Sequence, residues 1–131
     1  MKEKQLDVLI IGSGFSGIGS AINLKNKGVT NFLIVDKGKD FGGTWRDNFY
    51  PGAACDVPSH LYSFSFEPNP NWSRMFATSD EIQSYILWVV DKHNLREKAQ
   101  FGVTVTGMKF NEAQGVWTVM TKEGQTLTAR V

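Results

Sequence analysis

The stretch Gly12-Ser13-Gly14-Phe15-Ser16-Gly17 narrows the choice of folds more than any other part of this chain. It follows the apolar, β-branched run Leu6–Ile11 (LDVLII), a pattern that suits a strand buried on both faces. After it, Ile18, Ala21, Ile22 and Lys25 recur at helical spacing from Ser16 to Lys27, with Leu24 on the flank and Gly28 as a C-terminal stop. A second buried run, Asn31–Asp36, ends in an acid. Strand, glycine turn, helix and strand in about thirty residues predict a βαβ unit.

In that setting a G-x-G-x-x-G is informative, whereas alone it is weak. Gly12 permits a tight turn, Gly14 lets a pyrophosphate approach the backbone, and Gly17 lets the helix pack close to the sheet. Unpaired amides and the helix dipole favour phosphate charge. Asp36 is placed to accept hydrogen bonds from both ribose hydroxyls of an adenosine, and its charge would repel a 2′-phosphate. The plain alternative is a strand–helix turn with a solvated acid. The turn itself does not separate FAD from NAD.

Residues 37–77 carry little regular pattern but many aromatics, from Trp45 and Tyr50 to Trp72 and Phe76. A long irregular segment in a compact domain is usually functional or disordered, and this aromatic content argues against disorder. Gly42-Gly43-Thr44-Trp45 offers bare backbone, a hydroxyl and a flat ring, the kind of surface an isoalloxazine needs. Thr78-Ser79-Asp80-Glu81 predicts a capping box opening a helix with Ile82, Tyr85, Ile86, Val89 and Val90 on one face, fading near His93. The tail predicts one strand through Phe101, Val103 and Val105 that joins the parallel sheet. An antiparallel pair over Val116–Met120 and Leu127–Val131 then follows. The fold class is therefore α/β, a Rossmann-like domain with a parallel sheet and an antiparallel β-meander.

Bulk properties exclude other classes. The 131 residues, 41% hydrophobic and 21% charged, suit one modest globular domain. A net charge of +1 without charged runs offers nothing to nucleic acid or an anionic membrane. The single cysteine, Cys55, fits a reducing compartment and reads as a small buried hydrophobe. The opening MKEKQLDVLIIG is too short in its apolar run for a signal peptide, no segment would span a bilayer, and the expected location is the cytoplasm. His60 and His93 stand apart from any metal-ligand cluster, and no serine has a triad partner. The chain stops at QTLTARV131 inside an alternating pattern, so a fragment of a longer protein is expected.

The combination of GxGxxG, the acid at 36, GGTW at 42–45, YPGAACD at 50–56 and HLYSFSF at 60–66 resembles the class B flavoprotein monooxygenases, most closely the Baeyer–Villiger branch. The resemblance implies that residues 1–131 are the N-terminal portion of an FAD-binding domain in a flavoprotein with two dinucleotide-binding domains, the NADPH-binding domain being absent. It implies FAD and NADPH as cofactors. The activity would insert one oxygen atom from O2 into a ketone, or into a sulfur or nitrogen centre, through a C4a-peroxyflavin. Gly12, Gly14, Ser16 and Gly17 would hold the pyrophosphate, and Asp36 the adenosine ribose. Thr44 and Trp45 would lie along the flavin half, Asp56 near the flavin and nicotinamide, and Val105, or Val103, would present backbone to the adenine. Tyr62, Phe15, Lys37, Gly43 and Val57 would also contact the cofactor. Asp56 would be the catalytic acid that pairs with an arginine and acts by charge and orientation. Ala54 stands where many relatives have Arg, and Asp36 where many have Glu. The partner arginine, the second glycine turn and the F-x-G-x-x-x-H-x-x-x-W signature of the family are not in this sequence, so the chain alone is not expected to turn over. Two alternatives stay open: a two-dinucleotide reductase that does not oxygenate, and a truncated FAD-binding module without catalysis. Substrate identity and oligomeric state are not encoded in these residues.

Overall fold

A computed structural model describes residues 5–131; the first four residues of the stretch weighed above as a leader lie outside them. The elements run β1 (Val8–Ile11), α1 (Phe15–Asn26), β2 (Phe32–Asp36), α2 (Thr44–Asp47), α3 (Ser79–Lys92), β3 (Ala99–Phe101), β4 (Val105–Asn111), β5 (Val116–Thr121) and β6 (Thr126–Ala129). Strands β1, β2 and β3 pair in parallel, in that order, with Val8 opposite Phe32 and Asp36 opposite Phe101. The expected βαβ unit is present.

Gly17 has the packing role its position implied. A Cβ there would lie 2.0 Å from the Gly12 carbonyl oxygen, so only glycine lets α1 start this close to the end of β1. Gly12 itself takes φ +104°, open to glycine but strained for any other residue. One continuous core joins Ile18, Ala21 and Ile22 of α1, Ile10 and Ile34 of the sheet, and Ile82, Ile86, Val89 and Val90 of α3. The stripe predicted on α3 is the buried one.

Residues 37–77 are ordered by that core despite having little regular structure. Phe64 packs over Gly19 of α1, where a Cβ would stand 3.2 Å from its ring. The Tyr85 hydroxyl accepts from Phe64 N at 2.9 Å and donates to the Glu67 carbonyl at 2.7 Å. Glu67, itself buried, accepts from Lys92 and His93, each at 2.8 Å. Together these bonds anchor the aromatic segment to α3.

Two expectations need correction. Thr78 occupies the N-cap position of α3, but its side chain makes no capping bond. Glu81 is engaged elsewhere, accepting from the Ser73 amide at 2.8 Å and hydroxyl at 2.6 Å, so the predicted box does not close. The tail is also divided differently. The strand in the parallel sheet ends at Phe101 because Gly102, at φ +68°, turns the chain. Gly102 N then bonds the Gly38 carbonyl, and Val103 N bonds the Asp36 carbonyl. Val105 instead opens β4, and β4, β5 and β6 form a three-stranded antiparallel sheet rather than a pair. Beyond β6 the chain runs parallel to β1, with Leu9 N donating to the Val131 carbonyl at 2.8 Å.

Candidate functional site

At the carboxyl ends of β1 and β2 lies a cleft of about 400 Å³. It holds Asp36, Lys37 and Val105 and reaches the glycine turn. A second cleft of about 350 Å³ holds Phe15, Ser16, Gly17, Trp45 and Tyr62. Both are lined by Gly12, Gly14, Gly43 and Thr44, so they are two ends of one groove crossing the mouth of α1. A crevice beyond the carboxyl ends of parallel strands is where doubly wound folds bind ligands.

The floor of the groove is backbone. Gly14 and Gly43 face each other, and a Cβ on Gly43 would lie 3.0 Å from the Gly14 Cα. Gly42 N bonds the Ser13 carbonyl at 3.0 Å, fixing the GGT turn against the glycine turn. Gln83 of α3 supports it from behind, donating to the Phe41 carbonyl at 2.7 Å. The first amides of a helix have no intrahelical partners, and no side chain caps those of α1 where the groove passes.

At one end, the Asp36 carboxylate is buried. Oδ2 accepts from the Ser13 amide at 2.8 Å and the Ser13 hydroxyl at 2.6 Å. Oδ1 accepts from Gly38 N at 2.7 Å and Arg46 Nη1 at 3.1 Å. Burial alone would push this carboxyl upward. The hydrogen bonds from the Ser13 hydroxyl, Gly38 and the Ser13 amide, with the Arg46 charge, outweigh it and hold the acid below the ordinary carboxylate range.

At the other end, the Trp45 indole donates to the Tyr62 hydroxyl at 2.9 Å, and Phe15 meets the Tyr62 ring edge-on at 5.3 Å. An indole N–H only donates. Tyr62 must therefore accept from it, and its own proton is left to donate elsewhere in the groove.

Gly12, Gly14, Phe15, Ser16, Gly17, Asp36, Lys37, Gly43, Thr44, Trp45, Tyr62 and Val105 thus come together as groove lining, and Val103 lies beside Val105. Asp56 and Val57 do not line either cleft; both are solvent-exposed on the irregular segment. Cys55 beside them is buried, with Sγ 3.2 Å from the Val57 carbonyl. Two residues of the groove carry roles that sequence reasoning missed: Ser13 and Arg46. A donor side chain between the first two glycines, opposite a strand-end acid, was a usable signal for Ser13. Arg46 gave none, because its place depends on the turn at Gly38.

A parallel βαβ unit with a glycine-floored groove across its first helix defines a Rossmann-like dinucleotide-binding unit. The profile of the NAD(P)-binding Rossmann-like domain matches residues 10–79, and the chain belongs to that family. Among curated relatives, a Baeyer–Villiger monooxygenase of Streptomyces coelicolor is 48% identical over 124 residues, covering 95% of this chain and 24% of the relative. A Baeyer–Villiger monooxygenase of Pseudomonas aeruginosa is 48% identical over 122 residues, covering 93% of this chain and 23% of the relative. Among solved structures, cyclohexanone monooxygenase from Rhodococcus sp. Phi1 bound to NADP+ superposes with a TM-score of 0.93 at 36% identity, covering 98% of this chain and 25% of that one. An oxidized steroid monooxygenase bound to NADP gives 0.91 at 36% identity, covering 97% and 25%. The chain therefore spans about a quarter of the length of the relatives it matches.

Proposed function

We propose that this chain is the FAD-binding portion of an NADPH-dependent flavin monooxygenase of the Baeyer–Villiger type, acting with O2 on a small organic substrate. The relatives named above favour this over the reductase and the non-catalytic module. The observation that carries it is the groove: a buried acid at one end, paired glycines in the middle, and an indole–phenol pair at the other. These parts fit the ends of FAD. Asp36 meets the adenosine ribose, with Lys37, Val103 and Val105 around the adenine. Gly12, Gly14 and the free amides of Phe15 and Ser16 receive the pyrophosphate, with no Cβ to hold it away. Gly43, Thr44, Trp45 and Tyr62 run along the flavin half, where the free Tyr62 proton serves an acceptor.

Bound FAD supplies the redox chemistry, and the protein supplies binding, orientation and exclusion of water. Asp56 and Val57 stand on the adjoining segment. There Asp56 contributes charge at the reaction face instead of attacking any bond. No helix among the described residues is long and apolar enough to cross a membrane, and a cytoplasmic location accords with the lone cysteine. Titration with FAD, followed by flavin fluorescence and the visible absorbance band, tests the reading. Saturable binding with a yellow, protein-bound flavin is expected. A chain that binds NADP but not FAD would overturn it.

A further inference from the structure

The Asp36 carboxylate has about four acceptor sites, and all four are already used within the chain. A ribose bringing two hydroxyls can bond to it only if two present donors withdraw. The Ser13 and Gly38 amides cannot, because the backbone fixes them. The Ser13 hydroxyl and the Arg46 guanidinium can, and both have the same second acceptor. The Asp40 carbonyl already receives Arg46 Nη1 at 2.7 Å and stands 3.5 Å from Ser13 Oγ. Arg46 also keeps two bonds to Asp47, at 2.8 and 3.0 Å, so giving up Asp36 costs it one bond of four. Gly38 makes the arrangement possible: a Cβ there would lie 2.4 Å from the guanidinium carbon.

We propose that Ser13 and Arg46 are exchangeable donors that yield Asp36 to the two ribose hydroxyls and turn to the Asp40 carbonyl, setting how strongly this site reads ribose. The proposal rests on the nucleotide-binding reading above. In the natural chain each hydroxyl replaces a donor already present, so the hydroxyls add little net affinity. Remove a side-chain donor, and the corresponding hydroxyl satisfies an acceptor that would otherwise lack one.

The test compares ADP with its dideoxyribose counterpart, which lacks both hydroxyls, by calorimetric titration of the full chain and of Arg46→Met and Ser13→Ala. Less than about threefold preference for ADP is expected in the natural chain. In each variant that preference should widen to about tenfold, the scale of one hydrogen bond to a charged acceptor. Melting curves give a second reading: ADP should restore each variant's stability more than the dideoxy nucleotide does. Ser13→Ala, a smaller change, reports on Oδ2 if Arg46→Met proves unstable. ADP binding with the same preference in all three proteins overturns the proposal and leaves the nucleotide site standing. A strong preference in the natural chain that shrinks in the variants also overturns it, since Ser13 and Arg46 would then serve the ribose directly. No binding of either nucleotide to the natural chain removes the site and the proposal together.

Discussion

Two acids, one at the end of β2 and one midway along the irregular segment 37–77, are treated differently by the protein. Asp36 is buried, below its ordinary pKa range, and surrounded by four donors. Asp56 is exposed, although Cys55 just before it and Ser59 just after it are both buried. Charge at Asp36 is spent holding strand, glycine turn and α2 together. Charge at Asp56 is presented outward between the buried Cys55 and Ser59. Under the proposed function, the loss of Asp36 should be felt by the fold and the ligand, and the loss of Asp56 in chemistry alone.

The most drastic way to break the comparison is to destroy the Asp36 end. Gly17→Ala forces a methyl group onto the Gly12 carbonyl, and backbone has no rotamer with which to yield. A loss of about 3 kcal/mol is expected, the upper part of the usual range for overpacking. Chemical denaturation measures it, and a variant as stable as the natural chain would mean that α1 does not start where it is described.

Asp36→Asn is the next largest. The new amide's one carbonyl oxygen can serve only one side, so its NH2 faces either the two Ser13 donors or those of Gly38 and Arg46, at a cost of about 2 kcal/mol, and FAD binding weakens as well. The pH dependence is specific. A carboxyl whose folded pKa is lowered contributes stability that is complete above its unfolded value of about 4, and that is lost as pH falls through the lower folded value. The stability gap between the natural chain and Asp36→Asn should therefore be constant at neutral pH and close below about pH 4. A gap that does not change in acid would show that the charge of Asp36 is unimportant.

Much of this was legible in the sequence because the groove depends on residue types at fixed spacing. Glycines at 12, 14 and 17, an acid at the end of the second strand, and GGTW each state a local backbone or hydrogen-bonding need. What was illegible depends on tertiary partners. Arg46 acquires its role from the Gly38 turn and the Asp40 carbonyl, and nothing in the string RDN announces that. Strand β4 was missed because Met108 and Phe110 face outward, so no apolar alternation marks it. The division at Gly102 was missed because Phe101, Val103 and Val105 keep a period of two while the backbone changes sheets. The capping box failed for the opposite reason: its local pattern was present, but Ser73 recruited Glu81.

A smaller effect sharpens the comparison from the side of Asp56. The Ser59 hydroxyl lies 2.8 Å from the Arg74 and Met75 carbonyls and accepts from Ala77 N at 2.8 Å. Ser59→Ala leaves that buried amide unpaired, which costs about 1.5 kcal/mol. Its expected signature is lower stability in thermal melts, with FAD affinity lowered only as far as this segment loosens.

Asp56→Asn should be nearly silent by both measures. The side chain is exposed and no hydrogen bond from the described residues reaches it, so the substitution removes charge without stranding a partner. Stability should stay within about 0.5 kcal/mol, as for surface positions generally, and the FAD titration should overlay that of the natural chain. Flavin reduction or oxygenation, measured in the longer monooxygenase context proposed here, is where its loss should register. If the same substitution instead lowers FAD affinity tenfold, the two acids share one job, and the contrast between a charge spent inward and a charge presented outward is wrong.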